Sequence, residues 1–159
     1  MDEYRRAAVE IIRLGLWNHR VQNTLAKTAA LPVYQLECLL FLYLDHPESA
    51  GSLAEKLDVQ KSTLSKLLSA LQERGLIERA IGNPDRRTER LTLTDAGVQI
   101  VERVQLKAEE IAIALLELLP EERRFQFMGC VRTITSNELP TEQEIFHNRK
   151  DSPHEPIVK

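Results

Sequence analysis

The sequence predicts a mainly α-helical fold with one small β-hairpin, and three observations predict it. Apolar residues recur at steps of three and four over most of the 159 residues. The period changes to two only between Leu76 and Leu93, on either side of the turn-forming cluster Gly82-Asn83-Pro84-Asp85. Pro32, Pro47, Gly75 and Pro120 stand at the breaks of the helical pattern. A content of 43% apolar and 28% charged residues fits a soluble globular chain of one domain, or one domain with an appendage.

The first helix is expected from about Asp2 to Ala30, because Ala7, Ile11, Leu14, Trp17, Val21 and Leu25 form one face. Leu31-Pro32 ends it, since a residue before proline is pushed out of the α region. Val33 to Leu44 is apolar nearly all round and belongs in a core. Two short helices follow, one over Ser52 to Leu57 and one from Lys61 to Arg74, parted by Asp58-Val59-Gln60. That spacing matches a helix-turn-helix. Leu64, Leu67, Leu68 and Leu71 mark the inward face of the second, and Gly75 supplies a left-handed cap.

Leu76–Ile81 and Arg90–Leu93 are the expected strands of the hairpin. Thr94 is an N-cap for the longest helix, which reaches Leu119. In it Gly97, Val101, Val104, Ala108, Ile111, Leu115 and Leu118 make a heptad seam that fits a partner helix. A last helix from Glu121 to about Asn137 carries Phe125, Met128, Val131 and Ile134 on one face. The tail from Leu139 to Lys159 is a mobile end or an arm that reaches a partner subunit.

This order resembles the MarR family of winged-helix transcription regulators. Leu53-Ala54-Glu55-Lys56-Leu57-Asp58-Val59 is similar to the family's positioning helix and turn, and Ser62-Thr63-Leu64-Ser65-Lys66-Leu67-Leu68 to its recognition helix. Leu71 to Arg79 matches the passage into the wing, and Asn83-Pro84-Asp85-Arg86-Arg87 the wing itself, with its D-x-R signature as Asp85 and Arg87. Leu91-Thr92-Leu93-Thr94-Asp95-Ala96-Gly97 matches the exit into the long helix. The match is best from about Pro32 to Glu102.

The resemblance implies a homodimer with an N-terminal dimerisation helix (residues 1–31), a winged helix-turn-helix (32–93), C-terminal dimerisation helices (94–138) and a tail (139–159). It implies a signal-responsive repressor that reads a pseudo-palindromic operator in double-stranded DNA. In the family a ligand cleft opens between the dimer helices and the winged helix, so a small aromatic effector is a further expected partner. Trp17, Tyr34 and Tyr43, with Arg13, His19 or Arg20, mark that region, although Trp17 fits core packing better.

The DNA face is expected at Lys61, Ser62, Thr63, Ser65 and Lys66, which point away from the leucine stripe. The plain alternative is a solvated helix start with Ser62 or Thr63 as its cap. At the hairpin tip Arg87 fits a minor-groove finger and Asp85 its clamp, while Arg86 is a phosphate or second groove contact. A charged turn that merely protects a sheet edge is the alternative there. Arg79 and Arg90 flank the wing as phosphate contacts or as ion-pair partners of Glu78 and Glu89.

Other functions find less support. There is no G-x-S-x-G, no glycine-rich phosphate loop and no H-E-x-x-H, so no enzyme is expected and no cofactor. His19, His46, His147 and His154 are dispersed, so no metal site is expected. Cys38 and Cys130 lie far apart and form neither a disulfide framework nor a zinc pattern. Cys38 is expected as a buried inert thiol and Cys130 as dimer core. No run reaches the roughly 20 apolar residues of a membrane span, and no signal-peptide block opens the chain. A cytoplasmic location is expected.

A winged-helix adaptor that binds protein is the alternative to a DNA reader. The net charge of −3 at first opposes a DNA partner. It is unevenly spread. From Ala50 to Leu93 eight basic residues face six acidic ones, net +2, which leaves −5 for the rest. The attraction for phosphate is local.

Overall fold

The computed structural model describes residues 3–47, 49–81 and 89–136. The described elements are α1 (Glu3–Ala29), α2 (Val33–Leu44), α3 (Ala50–Lys56), α4 (Lys61–Glu73), β1 (Ile77–Ile81), β2 (Glu89–Leu93), α5 (Asp95–Glu117) and α6 (Glu121–Thr135). The mainly helical fold with a small two-stranded sheet is as the sequence predicts. The chain divides into two compact units, Met1–Ala112 and Ile113–Lys159.

In the first unit, the core is built on the apolar helix α2. Leu36, Cys38, Leu39 and Leu42 are buried there, with Leu53 of α3 and Leu64, Leu68 and Leu71 of α4. Each such leucine contributes about 1.5–3 kcal/mol on burial. The exposed Lys56–Asp45 ion pair between α3 and the end of α2 spans 2.8 Å and adds at most about 1 kcal/mol. Packing of leucines therefore sets how α2, α3 and α4 meet.

Three helix ends share one device. The residue after the helix turns left-handed at Ala30 (φ 53°), Asp58 (φ 51°) and Gly75 (φ 68°). In each case the next residue's N–H reaches back five positions: Leu31 to Ala26, Val59 to Ala54, and Leu76 to Leu71. These are Schellman caps, which satisfy the last carbonyls of a helix. Only Gly75 follows the residue preference; Ala30 and Asp58 carry a left-handed strain of about 1 kcal/mol or more.

β1 and β2 pair antiparallel with Ile77 opposite Leu93 and Arg79 opposite Leu91. A lone hairpin is marginal in water. This one is supported because β1 lies on α4 and β2 on α2 and α3. Ser49 caps α3 by accepting from the Ser52 N–H, and Thr94 caps α5 by accepting from the Gly97 N–H at 3.1 Å. Thr94 does more: its hydroxyl donates to the Gly75 carbonyl at 2.7 Å, and its N–H donates to the Leu76 carbonyl.

The heptad seam of α5 needs correction. Gly97, Val101 and Val104 are buried within the same chain, against its own winged-helix core. Gly97 is glycine because a Cβ there would stand 2.2 Å from the Leu76 carbonyl oxygen. A helix face with heptad spacing fits a hairpin and a core as readily as a partner helix.

Trp17 is corrected as well. It is 41% exposed, and every described residue of α1 up to Arg20 is exposed. Burial begins only at Val21, with Ala26 and Ala29 fully inside. The apolar stripe of α1 thus packs on its own chain only at its C-terminal third.

In the second unit, Arg124 of α6 donates from Nε to the Leu116 carbonyl at 2.9 Å and the Leu119 carbonyl at 3.3 Å. A cation on the last carbonyls closes the end of α5. No residue of α6 is buried, and Phe125 is 91% exposed.

Gly97→Ala is expected to cost about 1–3 kcal/mol through overpacking against backbone. Gly75→Ala has open space around it and should cost about 1 kcal/mol, from φ alone. Urea unfolding checks the order; a Gly97→Ala cost no larger than that of Gly75→Ala would contradict the close approach.

Candidate nucleic-acid interface

α4 presents two faces of opposite character. Leu64, Leu68 and Leu71 are buried behind it, while Lys61, Ser62, Thr63, Ser65 and Lys66 are all exposed in front. The N-cap is Gln60, extended at φ −66° and ψ 149°, with no side-chain capping bond. Neither Ser62 nor Thr63 caps the helix, so the capping part of the plain alternative falls, while a solvated helix start fits the same exposure. Among the described residues none of the five side chains has a hydrogen-bond or ion-pair partner. The Lys61 and Ser62 N–H groups stand at the positive end of the helix dipole, which favours an anion.

The helix is held firmly from behind and at its end. Arg74 donates from Nη2 to the Ala30 carbonyl at 3.1 Å, tying the end of α4 to the end of α1. Gly75 and Leu76 are bound to Thr94, as described, at the start of α5. Exposed polar groups on a well-anchored helix are suited to recognition because little side-chain and backbone order remains to be lost around them.

Asp85, Arg86 and Arg87 lie outside the described residues. Of the flanking arginines, Arg90 is exposed and has no ion pair among the described residues. Arg79 is half-buried, and its Nη2 donates over 3.5 Å to both the Ser65 carbonyl and the Ser69 hydroxyl of α4. The sequence reading left it as a phosphate contact or ion-pair partner and missed this contact with α4. The signal was available: strand alternation places Arg79 on the face of Ile77, which packs inward.

Tyr34 is exposed and Tyr43 half-buried, both on α2. Gln22 of α1 donates to the Glu37 carboxylate of α2 at 3.0 Å. Burial raises the Glu37 pKa above its usual 4.5. Cys38 beside it is buried, and burial together with the Glu37 charge pushes its thiol up to about 12. It stays protonated at neutral pH, as an inert thiol would. Cys130 on α6 is exposed. Among the described residues no group of three or more His, Cys, Asp or Glu could hold a metal ion. No single described helix is long and apolar enough to cross a membrane.

Residues 31–88 match the model of the MarR family. A curated relative, the HTH-type transcriptional regulator PapX of Escherichia coli, is 24% identical over 94 residues, covering 56% of this chain and 57% of PapX. The match thus spans little more than half of the relative's length. A MarR family protein from Bacillus stearothermophilus superposes with a TM-score of 0.72 at 22% identity, covering 86% of this chain and 96% of the other. The Staphylococcus aureus MepR–DNA complex gives 0.60 at 20% identity, covering 86% and 98%. These likenesses establish the fold.

Two solution tests follow. A thiol reagent should leave Cys38 unmodified until the chain unfolds; prompt reaction of Cys38 in the native protein would contradict the packing of α2. For Glu37, the folded form holds its proton more tightly than the unfolded one. Its contribution to stability should therefore fall as pH rises from about 4.5 through the raised native pKa. Glu37→Gln should remove that part of the pH dependence in urea titrations, and an unchanged profile would count against it.

Proposed function

Taking residues 31–88 as a MarR-family winged helix, we propose that this chain is a sequence-specific DNA-binding transcription regulator acting as a homodimer, in the repressor mode. The observation that carries the reading is the exposed N-terminal half of α4. Two lysines and three hydroxyls, none engaged among the described residues, stand on a helix whose other face is locked in the core. In a helix-turn-helix those first turns enter the major groove. Lys61 and Lys66 serve guanine edges or phosphates, and Ser62, Thr63 and Ser65 serve base edges or phosphates. Asp85, Arg86 and Arg87 of the hairpin tip are proposed to reach the minor groove, with Asp85 orienting Arg87.

Support for the homodimer comes from apolar side chains that their own chain leaves uncovered. They include Ile11, Ile12, Leu14 and Leu16 on α1, Leu106 and Ile113 on α5, and Phe125 and Ile134 on α6. In each unit taken by itself, exposed apolar surface of this kind marks an interaction surface. A two-fold dimer would read half-sites roughly 10 base pairs apart. A small aromatic effector acts by favouring one dimer shape over another; Tyr34, Tyr43 and Trp17 mark where it is proposed to bind.

The test is a gel shift on a duplex taken from immediately upstream of the protein's own coding sequence. Binding should weaken steeply with salt, each lysine or arginine on a phosphate contributing about −0.9 to the log–log slope. Lys61→Ala or Lys66→Ala should flatten that slope, and Arg87→Ala should weaken binding about tenfold. Undiminished binding by Arg87→Ala removes the hairpin tip from the interface. No binding to any duplex, with capture of a protein partner instead, favours an adaptor.

A further inference from the structure

We propose that Arg79 is a positioning residue for DNA reading: its guanidinium fixes the hairpin against α4, so that helix and hairpin present one surface. The proposal rests on the reading of α4 as the DNA-reading helix and adds to it how the second reading element is held.

Arg79 sits on β1, on the strand face that also carries Ile77, and pairs across the sheet with Leu91. Ile77 is 2% exposed and Leu91 half-buried. An apolar side chain would be the cheap choice at such a place, because burying a cation costs several kcal/mol unless it is hydrogen-bonded. The arginine is bonded, and Ser65 and Ser69 among its partners belong to another element. Nη2 lies 3.5 Å from the Ser65 carbonyl and 3.5 Å from the Ser69 hydroxyl, one helical turn apart on α4.

Those acceptors adjoin the exposed face. Ser65 and Lys66 point outward, while the Ser65 carbonyl is held from the hairpin side. The strands already pack on α4, α2 and α3. The guanidinium adds, through Nη2, a polar tie to two residues of one turn of α4, which an ammonium group on a flexible stem holds less firmly. Groove contacts lose much of their value when the donor is misplaced by even 1 Å, roughly the tolerance of a positioned site.

The experiment starts from random duplexes enriched by the wild-type chain. Arg79→Lys and Ser69→Ala are then measured on the enriched duplex, and each variant is put through its own enrichment. Arg79→Lys keeps the charge and loses the guanidinium nitrogen that reaches Ser65 and Ser69. It should bind about tenfold more weakly. Its enriched motif should keep the positions read by α4 and lose preference at the flanks read by the hairpin. Ser69→Ala should shift the motif in the same direction by a smaller factor, and the double variant should be no weaker than Arg79→Lys alone.

Full affinity in Arg79→Lys makes Arg79 a plain charge on phosphate and overturns the proposal. So does a loss spread evenly over all motif positions together with a lowered thermal midpoint, which marks a purely structural role. An unchanged motif in both variants overturns it too. If the wild-type chain enriches no sequence, the DNA reading itself fails and this proposal fails with it, an outcome separate from the other three.

Discussion

At the joint between α4 and α5 two backbones approach closer than a methyl group allows. The Leu76 carbonyl lies where a side chain on residue 97 would begin. The same carbonyl accepts the Thr94 N–H, and the Thr94 hydroxyl bridges the Gly75 carbonyl and the Gly97 N–H. Arg74, one residue earlier, holds the last turn of α1. Three consecutive residues thus fasten the end of α4 to two other helices. The hairpin is closed by the same contact, since residues 76 and 94 lie next to the first cross-strand pair, Ile77 and Leu93. Loosening this joint would release α4, the hairpin and α5 together.

Around the joint, apolar packing decides the arrangement and charge decides what the surface attracts. The leucines of α2, α3 and α4 contribute far more than the few exposed ion pairs. Of the basic residues between Ala50 and Leu93, Lys56, Arg74 and Arg79 hold other elements, while Lys61, Lys66 and Arg90 are exposed with no ion pair among the described residues and are available for recognition. A polypeptide of net charge −3 can carry a local attraction for phosphate without general affinity for polyanions.

Most of the fold was legible because its signals are local. Helix periods, Pro32, Gly75, Thr94 and the turn cluster each act within a few residues, and the elements fall within a residue or two of their expected bounds. Partnership was not legible. Gly97, Val101 and Val104 carry a spacing that serves intrachain and interchain packing alike, and only the position of Leu76 tells them apart. Trp17 has the spacing of a core residue on a stretch of helix that its own chain leaves uncovered. On α4, alternation with the leucine stripe sufficed to place Lys61, Ser62, Thr63, Ser65 and Lys66 on the exposed face. Arg79 was harder, because a charged residue on an inward strand face draws attention only if alternation is weighed above charge.

The long first helix has one more consequence. Its 27 residues include a stretch, Glu3 to Arg20, that touches little of its own chain. Nucleating a helix is unfavourable, and most helical stability in proteins comes from packing of an apolar face. These turns extend a helix already nucleated by its packed C-terminal third, so whatever covers Ile11, Ile12, Leu14 and Leu16 stabilises the folded chain by mass action, more as its concentration rises.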